Sequence, residues 1–204
     1  TMFITWPYLW PDPLGRFIEV FRFMSDNPTQ LAVLFNGQLY QAGELPRRYL
    51  PILLGITLTE PVWILFFTGL FLAFWKQITT RSSLSTDHRS LITEYTLILL
   101  WFVIPFAYVI LRKPPMYDGY RHFLFMLPPV FIFAGLAFEN FFVRVQSRWI
   151  NAVIVLLILM PGTIAAAQLH PFEYAYYNSF VGGTGGAFRT YETDYWLTCY
   201  KDAV

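Results

Sequence analysis

The chain has 204 residues, of which 56% are hydrophobic, 20% aromatic and only 13% charged, and its net charge is +1. A soluble domain carries about a quarter charged residues, so this balance, with a mean hydropathy of +0.45, places the sequence among polytopic membrane proteins. Nothing in the charge points to nucleic acid, the single Cys199 excludes an intrachain disulfide framework or a cysteine zinc site, and His88, His122 and His170 lack ligand spacing, so no metal or other cofactor is expected.

Residues 1–13 contain Trp6-Pro7-Tyr8-Leu9-Trp10-Pro11-Asp12-Pro13, and the prolines forbid a helix. The aromatic rings suit the headgroup zone of a bilayer. Asp12 followed by Pro13 is a helix start. Leu14, Phe17, Ile18, Phe21 and Met24 then fall at helical spacing, with Arg16, Glu19 and Arg22 on the other side. At about eleven residues this helix is too short to span. It is expected to lie in the interface plane. A surface helix on a soluble core is the alternative.

Residues 25–51 are more polar. Asp26-Asn27-Pro28 signals a turn, and Val33, Phe35 and Leu39 flank Asn36-Gly37, the dipeptide of type I′ hairpins. Glu44 to Pro51 reads as an external loop. Four apolar segments follow, at about 60–75, 95–111, 122–143 and 149–168. Pro61 falls in the first turn of the first, Pro105 lies inside the second, Pro128-Pro129 fall in the first two turns of the third and Pro161-Gly162 lie in the second half of the fourth. Each is near the ~20 residues that cross a ~30 Å hydrocarbon core. Prolines inside spans are tolerated because neighbouring helices satisfy the freed carbonyls.

The fold expected is an all-α polytopic membrane protein: about four transmembrane helices, an interfacial amphipathic helix and irregular external loops. Residues 1–58 form an external or interfacial segment, 59–168 the four-helix region, and 169–204 an external aromatic and glycine-rich tail. Basic residues do not orient it. Lys76, Arg81, Arg89, Arg144 and Arg148 stand on one side, against Arg47, Arg48, Arg112, Lys113 and Arg121 on the other. The plain Thr79-Thr80-Arg81-Ser82-Ser83 connector favours a cytoplasmic 77–93 loop. The chain opens on Thr1, no signal peptide is read within it, and Thr198 to Val204 look like the opening of a helix. It is therefore expected to be a piece of a longer protein, with a processed N-terminus as the alternative.

The tail's Val181-Gly-Gly-Thr-Gly-Gly-Ala187 lacks the Lys-Ser/Thr and the preceding strand of a phosphate loop, and reads as a tight turn. Glu139-Asn140, late in the third segment, is an intramembrane polar pair or an interfacial one. The densest polar motif is Tyr117-Asp118-Gly119-Tyr120-Arg121-His122-Phe123, at a membrane boundary. Arg121 offers a planar fork to phosphate oxygens, His122 adds a donor at a helix start, and Arg47 and Arg48 on the same side complete a candidate cluster. Tyr117 and Asp118 would support it. Plain interfacial anchoring is the competing reading.

Taken together, Trp6-Pro-Tyr-Leu-Trp, Leu45-Pro-Arg-Arg-Tyr-Leu-Pro, Tyr117-Asp-Gly-Tyr-Arg-His-Phe-Leu-Phe, His170-Pro-Phe-Glu-Tyr-Ala-Tyr-Tyr-Asn and Glu192-Thr-Asp-Tyr-Trp resemble the C-terminal half of bacterial phospholipid-carrier-dependent glycosyltransferases. These have GT-C architecture and are similar to protein O-mannosyltransferases. The resemblance implies an enzyme of the plasma membrane, multi-pass, that moves a sugar from a polyprenyl-phosphate donor to an acceptor on the outer face. It implies that both ends of this segment are external. The family's catalytic carboxylate lies in an early external loop that no position here matches, so no catalytic residue is assigned, and neither Asp118 nor Asp194 takes its place. The other expected partners are membrane lipids. The alternative function is a non-catalytic four-span subunit of a larger membrane complex, with other membrane subunits as partners. A transporter is a third possibility, opposed by the lack of a polar stripe or inverted repeat.

Overall fold

A computed structural model describes residues 6–25, 31–79, 86–145 and 147–194. The Asp26-Asn27-Pro28 turn, the 80–83 part of the predicted connector, and the tail from Tyr195 onward lie outside the described residues. The chain is mostly helical and divides into two compact units, Thr1–Leu31 and Ala32–Val204.

In the first unit a 3-10 turn, Pro7–Leu9, precedes helix α1, Pro13–Ser25. Asp12 starts α1 as expected: its carboxylate accepts the Gly15 amide at 3.1 Å. Arg16 lies 4.7 Å over the Tyr8 ring and donates to the Tyr8 carbonyl, while the Tyr8 hydroxyl donates to Glu19 at 2.9 Å. The polar side of the helix is thus tied to the turn. Leu14, Phe17, Ile18 and Phe21 form an exposed apolar stripe.

The second unit opens on the predicted hairpin. Strands β1, Ala32–Phe35, and β2, Gln38–Gln41, pair antiparallel with Phe35 opposite Gln38. Asn36 and Gly37 both have positive φ, 52° and 76°, as a type I′ turn requires. Val33 and Phe35 point inward and are fully buried. Phe35 meets Tyr49 and Tyr191 edge-on at 5.1 and 5.7 Å, and an isolated bridge pairs it with Tyr191.

Residues 49–57, expected within the external segment 1–58, form helix α2, Tyr49–Thr57. Leu58 is then extended, and helix α3, Glu60–Thr79, leaves at a sharp angle; α2 and the 60–75 part of α3 are bent by 109°. Pro61 sits in the first turn of α3, where its missing N–H costs nothing. The elbow strands the last carbonyls of α2. Asn178, 1% exposed, satisfies them from the far end of the sequence. Its side-chain amide donates to Gly55 O at 2.7 Å and Leu58 O at 2.9 Å, and its backbone N–H donates to Ile56 O at 2.8 Å. The adjacent Ser179 N–H donates to the Glu60 carboxylate at 2.7 Å.

Helix α4 runs Thr86–Arg112 with Pro105 inside it, and helix α6 runs Arg148–Leu169. Helix α6 matches its predicted segment and is capped by Ser147. Helix α4 instead begins nine residues ahead of its predicted start at 95, so residues 86–93 of the expected 77–93 connector are helix, as are 77–79 at the end of α3. The third predicted segment differs. Residues Arg121–Met126 are a 3-10 turn, and helix α5 begins only at Pro128 and ends at Arg144. Pro128 and Pro129 lack the N–H groups that an α-helix entering from upstream would need, so they can only start one. Two helices are long and apolar enough to cross a membrane, Thr93–Arg112 and Arg148–Leu169, and the α2–α3 pair makes a third if counted as one broken span.

Helices α3 and α5 pack most closely. Gly69 lies against the backbone of Phe133 and Ala137, and Ala73, one turn on, is buried, as are Ala134 and Ala137. A methyl group on Gly69 would overlap the Phe133 carbonyl oxygen. Small residues at this spacing let helix backbones touch, which is how helices associate where lipid gives no hydrophobic drive. Phe66 and Phe133 stack edge-on at 6.0 Å beside the contact. Gly69→Val is therefore expected to cost about 3 kcal/mol or more through forced separation of α3 and α5. Gly135→Ala, whose added carbon meets nothing, should be near neutral. Thermal unfolding in detergent checks the contrast.

Candidate functional site

A cleft of about 320 Å³ opens between three parts of the second unit. Leu53 and Thr57 of α2 form one wall. Asp118, Gly119, Tyr120, Arg121 and Leu124 form the second, and Glu173, Tyr174 and Tyr176 the third.

The second wall is shaped by backbone chemistry. Pro114 and Pro115 stop α4, and the Met116 amide docks on the Ala42 carbonyl at 3.1 Å. Asp118 and Gly119 then take positive φ, 52° and 70°, turning the chain back on itself. Asp and Gly are among the residues that tolerate that conformation. The turn brings Asp118 against Arg121, with an Oδ2–Nη2 distance of 2.8 Å. Arg121 also lies 5.1 Å over the Tyr117 ring, and its Nε approaches His122 Nε2 at 3.5 Å. The Tyr117 and His122 rings meet edge-on at 5.0 Å. The guanidinium is thus held by a carboxylate on one side and aromatic rings on the other, half-exposed at the cleft.

Tyr120 fixes this wall to the first. Thr57 gives its hydroxyl proton to the Leu53 carbonyl at 2.7 Å, so the Tyr120 hydroxyl donates to Thr57 Oγ1 at 2.8 Å. Burial pushes the Tyr120 phenol above its ordinary range. On the third wall His170 Nδ1 contacts Glu173 Oε1 at 2.6 Å, and this hydrogen bond holds the Glu173 carboxyl below its usual range. The Tyr174 hydroxyl donates to Asp194 at 3.1 Å and the Tyr177 hydroxyl to the Glu192 carbonyl at 2.7 Å. Burial, and then the charge of Glu60, raise the Tyr176 phenol.

Glu192, just after the Phe35–Tyr191 bridge, is half-buried. Burial first, and the neighbouring Asp118 charge second, push its carboxyl up to about 7, against a hydrogen bond from the Leu34 amide that works the other way.

The predicted residues divide. Tyr117, Asp118, Arg121 and His122 come together. Arg47 and Arg48 are exposed at the start of α2 and do not line the cleft; Arg47 instead borders a small crevice with Lys113 and Pro114. The α-helix N-terminus expected at His122 is absent, because α5 starts six residues later on two prolines. Anion binding here would rest on side chains. Asn140 is bonded back to the Leu136 carbonyl at 2.9 Å, and Glu139 is exposed near the end of α5. The glycine segment is a tight turn: Gly182 is left-handed, helix α7, Gly183–Ala187, is a single turn, and a carbon on Gly186 would overlap Val181 O.

Sequence reading missed Thr57, Tyr120, Glu173 and Glu192. Glu192 lay within a quoted motif, but nothing local distinguishes it from a solvated acid among aromatics. Among the described residues no group of acids, histidines and cysteines has metal-ligand geometry. No protein-family model, curated protein or solved structure matches the chain.

Glu192 makes stability fall with rising pH. Its folded form keeps a proton that the unfolded chain releases above about 4.5, so this contribution is lost as pH climbs through about 7. Glu192→Gln should match wild type most closely below pH 4.5. It should exceed wild type by roughly 2 kcal/mol at pH 8, after allowing for partial exposure. Chemical denaturation across that range reads the difference.

Proposed function

We propose that this chain is part of an integral-membrane glycosyltransferase that moves a sugar from a polyprenyl-phosphate carrier to an acceptor on the outer face of the plasma membrane. The observation that carries the reading is Arg121, half-exposed on a cleft beside apolar helices, backed by Asp118 and Tyr117. A lipid-linked phosphate lies at headgroup depth. A guanidinium fork there meets its oxygens in a bidentate fashion. Tyr120, Tyr174 and Tyr176 line the rest of the cleft, and aromatic side chains suit a sugar ring.

In this reading α4, α6, the α2–α3 elbow and α5 with its 3-10 lead-in make four spans. The cleft and both ends of the chain are external, and α1 lies on the membrane surface with its apolar stripe in the lipid. Arg121 and His122 bind the phosphate, Asp118 and Tyr117 position Arg121, and the catalytic carboxylate belongs to another part of the enzyme. A second reading, a non-catalytic subunit of a larger membrane complex, draws on α6. One face of it, from Asn151 to Leu169, is only partly covered and the rest is exposed, so it offers an apolar surface to other membrane helices.

Carrier affinity and turnover of Arg121→Ala in the full enzyme, with folding checked, test the first reading. Both should fall at least about tenfold, as loss of a charge-assisted hydrogen-bond pair implies. Arg121→Lys should recover only part, because an ammonium lacks the fork. Wild-type values in Arg121→Ala would contradict it.

A further inference from the structure

Helix α2 has two faces. Tyr49, Leu50, Leu53 and Leu54 are buried in the core, and Leu53 and Thr57 reach the Arg121 cleft. The other face, Pro51, Ile52, Gly55 and Ile56, lines a second cavity at the elbow, of about 430 Å³ against about 320 Å³ for the cleft. Trp63 and Phe67 of α3, one turn apart and stacked with ring centroids 6.0 Å apart, line it from beyond the elbow. Phe180 joins from the tail: its amide donates to Asn178 Oδ1 at 3.1 Å, and the residue stays 68% exposed. No lining residue is ionisable. Gly55 keeps the groove open, since a carbon added there meets nothing within 4 Å.

One charge stands on the same face of α2. The Ile52 amide donates to the Arg48 carbonyl at 3.0 Å, so Arg48 closes the first turn of the helix. Ile52, Gly55 and Ile56 follow it at i+4, i+7 and i+8, which is one helix stripe. Arg48 is exposed, and the helical rise sets it about 6 Å ahead of Ile52. Arg47 is turned away by about 100° and borders the Lys113 crevice instead. An apolar groove headed by a guanidinium has the order of a phospholipid: phosphate, glycerol, then acyl chain. A purely apolar helix seated there would leave the charge unused.

We propose that the elbow groove binds an anionic phospholipid of the surrounding membrane, with one acyl chain along Ile52, Gly55, Trp63 and Phe67 and the phosphodiester on Arg48. The site is separate from the Arg121 cleft, on the other face of α2, and does not depend on the reading of that cleft. It asks only that the α2–α3 pair lie in a bilayer, as its apolar composition allows. A lipid seated there touches α2, α3 and Phe180, the same pieces that Asn178 and Glu60 tie together by hydrogen bonds.

The probe is dioleoyl phosphatidylglycerol, titrated into the full chain in detergent and counted by native mass spectrometry. Arg48→Gln should weaken binding about fivefold, the effect of one basic residue at a lipid headgroup. Arg47→Gln and Arg121→Ala should leave it unchanged. Gly55→Leu, which fills the groove, should weaken it at least about tenfold. Gly55→Ala, which favours the helix, should shift it the same way by less, and carries the test if the leucine variant does not fold. Dioleoyl phosphatidylcholine, whose choline offsets the phosphate charge, should bind at least about threefold more weakly. Undiminished binding in the Gly55 variants, an equal loss in Arg47→Gln and Arg48→Gln, equal affinity for the two lipids, or no adduct at all overturns the proposal. A loss in Arg121→Ala would seat the lipid in the cleft and also overturns it. So does tighter binding of decaprenyl phosphate that Gly55→Leu abolishes, which would give the groove to a carrier lipid.

Discussion

The second unit depends on one buried amide. A helix that ends at Thr57 and restarts at Glu60, at an angle of 109°, leaves carbonyls with no helical partner. Left unsatisfied in an apolar setting, each costs about 1–3 kcal/mol. Asn178 answers two with its side chain and one with its backbone, across more than a hundred residues of sequence. Only a side chain with two N–H donors can serve both carbonyls at once. Its own Oδ1 accepts the Phe180 amide, so both ends of the amide are used. The elbow, and therefore the tail, hold their places together.

The cleft inherits its shape from that lock. Asn178 ties the tail to α2, which places Glu173, Tyr174 and Tyr176 opposite Thr57. Thr57 in turn holds Tyr120, and the Asp118-Gly119 turn beside it aims Arg121. On the other side of the elbow α3 is pinned to α5 by the Gly69 contact, between two and three turns along the helix. The cleft is thus assembled from three distant stretches, each oriented by a contact that lies outside it.

Local chemistry was legible from the sequence and tertiary closure was not. Asn36-Gly37 announced the hairpin because only a positive-φ pair makes that turn. The limits of α6 and the end of α4 followed from long apolar runs, but the polar first turns of α4, from Thr86, did not. The Asp118–Arg121 pair was within reach of a local reading because the two are three residues apart. Helix α2 went unread because Pro51, Gly55 and Thr57 weaken its helical signal, and it forms because Leu50, Leu53 and Leu54 are buried in the second unit. The third apolar segment read as one span because hydropathy is blind to Pro128-Pro129 as a boundary. Arg47 and Arg48 looked like partners of Arg121 because they share a side of the membrane in the four-span reading, but sharing a side does not bring charges together. Asn178 and Glu192 lay in quoted motifs, but nothing local marked their roles, which come from residues far away in the chain.

The coupling between the elbow and the cleft can be measured directly. In lipid nanodiscs, hydrogen–deuterium exchange is followed in peptides covering 50–58 and 117–124, in wild type and in Asn178→Asp. The substitution keeps the size of the side chain but replaces the amide donor with a carboxylate that repels the Gly55 and Leu58 carbonyls. Faster exchange in both peptides together is the result this account predicts, because release of the α2 end frees Thr57 and with it Tyr120. Exchange unchanged in both, or raised at 50–58 while 117–124 stays as in wild type, would contradict it.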